Sequence, residues 1–219
     1  METRARLNRE RVLRTAIALA DELGSDAVSM RRLATELDVV PMALYKHVAN
    51  KEQLLDGMVD TIIVEIERMP YEGDWRAAVR QQVLSSRSAL QRHPWARRVI
   101  ETRAGKSPAV LDYIEAFTAL FLAGGFTADL THHVMHALGG RMWGFTQEVF
   151  EDAGPTPELP PHVLEQMARR YPSILAVARP HEDSVVGDGC DDQFEFEFAL
   201  DLLLEGIDRL KQQAWSSRG

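Results

Sequence analysis

The sequence predicts an all-α protein of about ten helices, built as a small N-terminal domain and a larger helical one. Two observations carry this prediction. Apolar residues recur three and four positions apart in most segments, which is the spacing of one helix face. No segment shows the alternation of apolar and polar residues that is typical of a strand. The periodicity breaks at residues 69–73, which predicts a boundary between a first domain over 1–68 and a second over 69–219.

The composition is that of an ordinary globular chain, with 219 residues, 45% of them hydrophobic, and a formal net charge of −8. Cys190 is the only cysteine, which excludes an intrachain disulfide and a cysteine-based zinc site. No apolar run approaches the roughly 20 residues that span a bilayer, and the N-terminus carries no secretory signal. We therefore expect a cytoplasmic protein with no membrane partner.

The charge is distributed unevenly along the chain. Residues 1–51 carry nine Lys and Arg against seven Asp and Glu, whereas residues 52–219 carry sixteen against twenty-six. A basic N-terminal segment therefore precedes an acidic body. Because local charge is what meets phosphates, this distribution permits binding of nucleic acid despite the negative net charge.

Capping residues place the first two helices. Asn8 and Gly24 bound a predicted helix over residues 9–24. Ser29 is a good N-cap for a second helix over 29–37, because its hydroxyl accepts a hydrogen bond from a free amide of the first turn.

A sharp turn and a third helix follow. Asp38 stands at the turn, where Asp tolerates the left-handed backbone better than most residues do. Pro41 begins a helix over 41–47, because its missing amide proton costs nothing in a first turn. Asn50 and Gln53 then have the spacing of a capping box for the next helix.

Two short helices joined by a tight turn form the helix-turn-helix arrangement. Leu44 and Val48 are spaced to pack the second of them onto the first. The residues left for its outer face are Val40, Pro41, Met42, Tyr45, Lys46 and His47. Tyr, Lys and His suit phosphate contacts, as does Lys51 at a helix N-terminus. Periodicity alone leaves two interpretations open, DNA binding and a small three-helix core with a solvated polar face.

The stretch over about residues 9–57 resembles the DNA-binding domain of the TetR family of transcriptional regulators. The matching positions are Leu33-Ala34, Leu37, Val39, Leu44-Tyr45, His47-Val48 and Asn50-Lys51. Asp38 departs from the family pattern by replacing the usual turn glycine, and Val40 departs from it by replacing a polar cap.

The resemblance implies a double-stranded DNA operator as partner and assigns roles to single residues. It implies positions close to the bases for Arg31, Val40, Pro41, Met42 and Lys46. It implies phosphate contacts for Ser29, Tyr45, His47 and Lys51. Arg31 and Lys46 are the two of these that bind guanine strongly, so we expect sparse direct readout.

Further helices are predicted over residues 51–67, 75–91, 95–103, 108–123, 128–152, 161–177 with an interruption at Pro172, and 193–213. The last of them is apolar on two sides, which requires partners on two sides. The helix over 128–152 carries a glycine pair, which favours close approach of another helix. We expect these two helices to pair with their copies in a homodimer, through Gly139, Gly140, Phe196, Leu200, Leu203 and Ile207.

The second half is also similar to the C-terminal domain of the tetracycline-repressor branch of that family. The similarity rests on Gly125-Phe126, on Val149-Phe150-Glu151-Asp152, and on the run over 194–206. In that branch the last long helices form the dimer and the preceding ones enclose an inducer. Residues 95–103 contain no histidine of the kind that holds drug-bound magnesium there, so the resemblance implies an inducer other than tetracycline.

Aromatic and methionine residues predict a mostly apolar small-molecule pocket among the helices between about 60 and 150. The candidates are Trp95, Phe117, Phe121, Met135, His136, Met142 and Trp143.

Asp129, His132, His133 and His136 offer an alternative interpretation, a histidine-dependent metalloenzyme, since His132 and His136 lie one turn apart on one face. The cluster lacks cysteine and a general-base glutamate, so we expect no metal, no cofactor and no catalytic residue. A third interpretation is an architectural DNA binder without a ligand. The sequence predicts a ligand-responsive DNA-binding regulator, a repressor that binds a palindromic operator as a homodimer and is released by a small-molecule inducer.

Overall fold

The computed structural model describes residues 6–102, 105–143, 160–174 and 192–218. The all-α prediction is confirmed, since these residues form helices and no strand. The helices are α1 (Arg9–Leu23), α2 (Met30–Glu36), α3 (Pro41–Leu44), α4 (Lys51–Glu65), α5 (Trp75–Arg92), α6 (Trp95–Thr102), α7 (Pro108–Ala123), α8 (Ala128–Trp143), α9 (Pro161–Arg170) and α10 (Asp192–Gln212), with a short 3-10 turn over Ser25–Ala27.

The chain divides into two compact units. One comprises Met1–Trp143 together with Lys211–Gly219, and the other comprises Gly144–Leu210. Within the first unit α4 packs against α1 and also against α5, α6 and α7. Residues 1–68 therefore do not separate from the helices that follow, and the predicted boundary after residue 68 stays a prediction.

Side-chain caps fix where most of the helices begin, as the sequence predicts. Asn8 Oδ1 accepts a hydrogen bond from the Arg11 amide at 2.8 Å. Asp74 Oδ1 accepts two, from the amides of Arg76 and Ala77 at 2.9 and 3.1 Å. Each bond satisfies a backbone donor that has no partner inside its helix.

The third helix ends earlier than predicted, α9 stops at the predicted interruption, and α8 reaches the edge of the described residues. The third helix stops at Leu44, so that Tyr45–His47 of the predicted helix over 41–47 lie in a turn. Helix α9 ends at Arg170 because the residue before a proline, Tyr171, disfavours helical backbone. Helix α8 is described to Trp143, and the predicted continuation over 144–152 lies outside the described residues.

A glutamine buried in α5 holds the segment between α4 and α5. Gln82 is 2% exposed. Its Oε1 accepts a hydrogen bond from the Met69 amide at 3.0 Å, and its Nε2 donates to the Glu67 carbonyl at 3.1 Å. One side chain thus satisfies a donor and an acceptor of a segment without regular structure, which fixes how α5 follows α4.

An aromatic cluster fills the core where α5, α7 and the α7–α8 turn meet. The Trp75 and Phe126 rings lie edge to face with centroids 4.7 Å apart, and Phe121 lies 5.3 Å from Phe126 in a similar arrangement. Gly124 lets α7 approach this cluster, since a Cβ there would lie 2.7 Å from Trp75 Cβ. Among the described residues, no helix is long and apolar enough to cross a membrane.

Candidate DNA-binding face and ligand cavity

The turn between α2 and α3 has the backbone that the sequence predicts. Asp38 has a φ of 52°, in the left-handed region. The Val39 amide then donates to the Ala34 carbonyl at 2.9 Å, which closes the end of α2. Leu44 and Val48 are buried and fix the rotation of α3 about its axis. The remaining face of α3 is therefore held outward.

The outward face combines apolar residues with hydrogen-bonding ones. Val40 is 67% exposed and Met42 is 72% exposed, and Pro41 beside them is exposed as well. Tyr45 and Lys46 are exposed, while His47 is half-buried. Exposed apolar side chains on a four-residue helix bury nothing within the chain, so this face is suited to contact another molecule.

Three cations stand around this face. Arg31, Lys46 and Lys51 are exposed, and none forms an ion pair with any residue that the structure describes. Lys51 is the first residue of α4, where the free amides of the first turn also attract anions. Exposed, unpaired cations within the helix-turn-helix stretch meet the electrostatic requirement for binding phosphates.

Helix caps hold two of the predicted phosphate ligands in place: Ser29 is itself a cap, and Lys51 follows the cap of α4. The Ser29 hydroxyl accepts from the Arg32 amide at 3.2 Å and caps α2, as predicted from its position. At the start of α4, Asn50 Oδ1 accepts a hydrogen bond from the Gln53 amide at 2.7 Å, while the Ala49 amide donates to Gln53 Oε1 at 2.6 Å. This capping box, closed on Ala49 instead of Asn50, fixes the start of α4 and with it the position of Lys51.

A cavity of about 740 Å³ lies in the first unit, between α4, α6, α7 and α8. Its volume falls within the range of small-molecule sites. The walls are mostly apolar and include Val59, Ile63, Ile100, Ile114, Phe117 and Met135. Polar side chains at the cavity are Lys106, Tyr113, Thr118, Thr131, His132 and His136.

The cavity contains three of the seven predicted ligand residues, Phe117, Met135 and His136. Trp95 does not line it: its Nε1 donates to Asp21 Oδ1 at 2.6 Å. Phe121 belongs to the aromatic core and is fully buried there. These two assignments are corrected, since both side chains are occupied by core packing. The side chains of Met142 and Trp143 lie outside the described residues.

Tyr113 is a cavity residue that sequence reasoning missed. Its hydroxyl lies 2.7 Å from Ser86 Oγ. Because Ser86 Oγ donates to the Gln82 carbonyl at 2.8 Å, the tyrosine is the donor of the pair. Burial raises the pKa of Tyr113 to about 12, and its hydrogen bonds to Ser86 and Gln82 oppose that shift. Its position could have been predicted from its spacing, because Tyr113 lies one turn before the predicted cavity residue Phe117 on α7.

The histidines of α8 separate into two groups. The His132 and His136 rings lie edge to face with centroids 4.7 Å apart, and both line the cavity. His133 does not line the cavity; its ring lies edge to face with His132, with centroids 5.2 Å apart, and against Trp215, and its Nε2 is 3.8 Å from Asp129 Oδ1.

Asp129 is engaged by the C-terminal segment and not by a metal-ligand arrangement. Its carboxylate accepts hydrogen bonds from the Ser217 amide and hydroxyl at 2.7 and 2.8 Å, and these bonds lower its pKa. No three His, Cys, Asp or Glu side chains in the described part of the chain are placed to share a metal ion. The metalloenzyme alternative therefore has no support.

The predicted dimer residues fall in different environments. Phe196, Leu200 and Ile207 are buried within a single chain, and Leu203 is half-buried. A second stripe of α10 is exposed instead, comprising Phe194, Phe198 and Leu202, the last of them 56% exposed. Gly139 lines the cavity. A Cβ at Gly140 would meet no described atom within 4 Å.

Fold and site together define a helix-turn-helix DNA-binding regulator with a separate small-molecule cavity. Family models agree: one described as "Bacterial regulatory proteins, tetR family" matches residues 12–58, and one described as "Tetracyclin repressor-like, C-terminal domain" matches residues 69–210. The chain belongs to the TetR family of bacterial regulators, and it is a ligand-responsive, DNA-binding transcriptional repressor.

Individual relatives extend along nearly the whole chain. The HTH-type transcriptional repressor DrrR1 of Streptomyces coeruleorubidus is 29% identical, over 94% of this chain and 79% of the relative. The class G tetracycline repressor protein of Vibrio anguillarum is 30% identical, over 94% of this chain and 96% of its own.

A solved structure shares the fold. Apo ActR from Streptomyces coelicolor superposes with a TM-score of 0.75 at 26% identity, over 96% of this chain and 99% of that one. ActR has also been solved in complex with actinorhodin; that structure has a TM-score of 0.70 at 27% identity, over 93% of this chain and 97% of that one.

Proposed function

We propose that this chain acts in the cytoplasm as a homodimer that binds a near-palindromic operator and leaves it when a small, mostly apolar molecule enters the cavity. In this proposal α3 of each protomer enters a major groove, and the two protomers bind two half-sites. It acts as a regulator and not as an enzyme. The observation that carries the proposal is the outward face of α3, with exposed Val40 and Met42 beside unpaired cations.

Chemistry divides the DNA contacts into two kinds. Val40, Pro41 and Met42 offer only apolar surface, which suits thymine methyl groups. Arg31 and Lys46 are the side chains here that donate strongly to guanine. Ser29, Tyr45, His47 and Lys51 suit phosphate contacts, which set affinity and register more than sequence preference.

The apolar stripe of α10 supports a homodimer. Phe194, Phe198 and Leu202 are exposed in the single chain, whereas Phe196 and Leu200 are already buried. Exposed apolar side chains that recur along one helix face favour contact with a second copy. We therefore propose that the subunit contact uses this exposed stripe, with Gly140 on an open part of α8.

Helix α4 supports a link between cavity and DNA. It has 15 residues, which is about 22 Å of helix. Lys51 lies at its N-terminus beside the outward face of α3, and Val59 and Ile63 line the cavity further along. A ligand that binds one placement of α4 better than another shifts the DNA-binding helices accordingly, and one that binds both equally shifts nothing.

The cavity also separates this proposal from a DNA binder without a ligand. A space of about 740 Å³ with apolar walls is what a small-molecule site requires, and an architectural protein has no use for it.

Selection of bound sequences from a random DNA pool tests the proposal. The expected result is a palindrome whose half-sites lie about one helical turn or more apart. The matched control is Met42→Glu, which places a carboxylate on the exposed face of α3 and leaves the buried residues intact. Enrichment of the same palindrome by Met42→Glu, or enrichment of no sequence by the unaltered protein, contradicts the proposal.

A further inference from the structure

The cavity has a one-sided distribution of charge. Among the described residues that line it, Lys106, His132 and His136 carry or accept a positive charge, and none is an aspartate or glutamate. This is unexpected for a chain with a formal net charge of −8, in which acidic residues outnumber basic ones. The charged side chains of the cavity are therefore opposite in sign to the net charge of the protein.

Lys106 is available to a ligand. It lies in the exposed segment between α6 and α7 at the edge of the cavity, and it forms no ion pair with a residue that the structure describes. An ammonium group beside apolar walls attracts an anion more strongly than it does in open solvent, because the walls exclude water.

The two histidines are equally available. His132 and His136 make no hydrogen bond to any described residue, and their rings lie side by side at the cavity. Each imidazole has a ring N–H that can donate a hydrogen bond to an anion. A cationic ligand would have no carboxylate partner among the described residues that line the cavity.

Deeper in the cavity a hydroxyl lacks a partner. Thr131 is 3% exposed, lines the cavity, and its Oγ1 has no hydrogen-bond partner among the described atoms. Buried hydroxyls are normally bonded, so an unbonded one facing a cavity points to a polar atom of a ligand.

We infer that the ligand of this cavity is an anionic, otherwise apolar molecule, such as an aromatic carboxylate, sulfonate or phenolate, whose charged group contacts Lys106, His132 and His136. This inference rests on the proposed function, since it names the ligand class of the same cavity. The aromatic or aliphatic part of the ligand packs against the walls formed by Ile63 and Phe117. A polar atom of the ligand pairs with the Thr131 hydroxyl.

Two fluorescent dyes of the same skeleton test the inference on the full chain. Anilinonaphthalene sulfonate is anionic, and N-phenyl-naphthylamine lacks the sulfonate and is neutral. We expect Lys106→Gln and His136→Gln each to lower the affinity for the sulfonate dye about fivefold, because each removes one charge contact at a partly solvated site. The double variant is expected to lower it further. The affinity of the same variants for the neutral dye is expected to change less than twofold.

Two further variants locate the effect. His133→Gln changes the neighbouring histidine of α8, which does not line the cavity, and is expected to leave both dyes unchanged. Thr118→Phe fills the cavity and is expected to exclude both dyes. If Lys106→Gln and His136→Gln lower the affinity for both dyes equally, the anion preference is overturned while the proposed ligand site stands. If neither dye binds, or if Thr118→Phe leaves both bound, the proposed ligand site itself fails and the anion preference fails with it.

Discussion

At the scale of single residues, Arg31 and Lys51 carry the same charge in the helix-turn-helix stretch but contact different parts of the bound duplex in the proposed complex. Both are exposed and unpaired among the described residues. Arg31 lies in α2 beside the outward face of α3, whereas Lys51 begins α4. Their substitutions therefore separate sequence readout from phosphate binding.

We predict that Arg31→Ala relaxes sequence preference by about 1–3 kcal/mol at one base pair, and that Lys51→Ala weakens all sequences alike and lowers the salt slope by about one unit. Fluorescence anisotropy on matched and mismatched duplexes at several salt concentrations measures both effects. A change of sequence preference in Lys51→Ala, with none in Arg31→Ala, would reverse the assignment.

Tyr113 predicts a pH dependence in the alkaline range. Its pKa is about 12 in the folded chain against 10.0 for an unperturbed tyrosine. The unfolded chain therefore releases this proton first, and the stabilisation that is complete below pH 10 is lost as the pH rises towards 12. The Tyr113→Phe variant should lack this component. Denaturant unfolding of both proteins across that pH range is the measurement, and identical pH profiles would refute the account.

Local signals predicted the caps and the turn, because each depends on a few neighbouring residues. Asn8, Ser29 and Asn50 cap the helices that their positions predict, and Asp38 takes the left-handed backbone that its position requires. Cavity residues were harder to predict because packing between distant segments decides them. Trp95 shows this, since its indole pairs with a carboxylate 74 positions earlier in the chain.

At the scale of helices, the close approach of α7 and Trp75 depends on Gly124. We predict that Gly124→Ala lowers the free energy of unfolding by about 1–3 kcal/mol, since the new Cβ must displace Trp75 in a packed core. Gly105→Ala is the matched control, because a Cβ there meets no described atom within 4 Å. Chemical denaturation measures both, and equal midpoints would contradict the packing account.

The exposed stripe of α10 gives a second prediction at this scale. Leu202→Glu is expected to convert the proposed dimer into monomers, because it places a charge in the proposed apolar subunit contact. Leu111→Glu is the control, since Leu111 is similarly exposed but lies on α7. Sedimentation gives the mass of each protein. A Leu202→Glu variant that remains a dimer shows that the contact lies elsewhere.

The sequence predicted that the last helix exists, but it did not predict which of its two apolar faces points into the protein. Two apolar stripes on the last helix were apparent in the sequence, but periodicity does not say which stripe turns inward. Burial within the chain decides it, with Phe196 and Leu200 inside and Phe198 and Leu202 outside. A helix that is apolar on both sides offers no internal signal for that choice.

At the scale of the whole molecule, the central claim is that the cavity and the DNA-binding face communicate through α4. The first unit connects them continuously, since α4 packs on α1 of the helix-turn-helix side and on α6 and α7 around the cavity. Polar contacts join the same regions, because Asp21 of α1 accepts hydrogen bonds from both His93 and Trp95. We therefore expect a change in the cavity to move α1 and α4 together.

The most direct measurement is the affinity of the selected operator for a protein whose cavity is filled from within. Thr118→Phe fills it, and Ala119→Phe adds the same ring on the exposed side of α7. We predict that Thr118→Phe weakens operator binding at least tenfold, about 1.4 kcal/mol, while Ala119→Phe binds as the unaltered protein does. A folded Thr118→Phe variant that excludes the neutral dye yet binds the operator with full affinity would contradict the coupling.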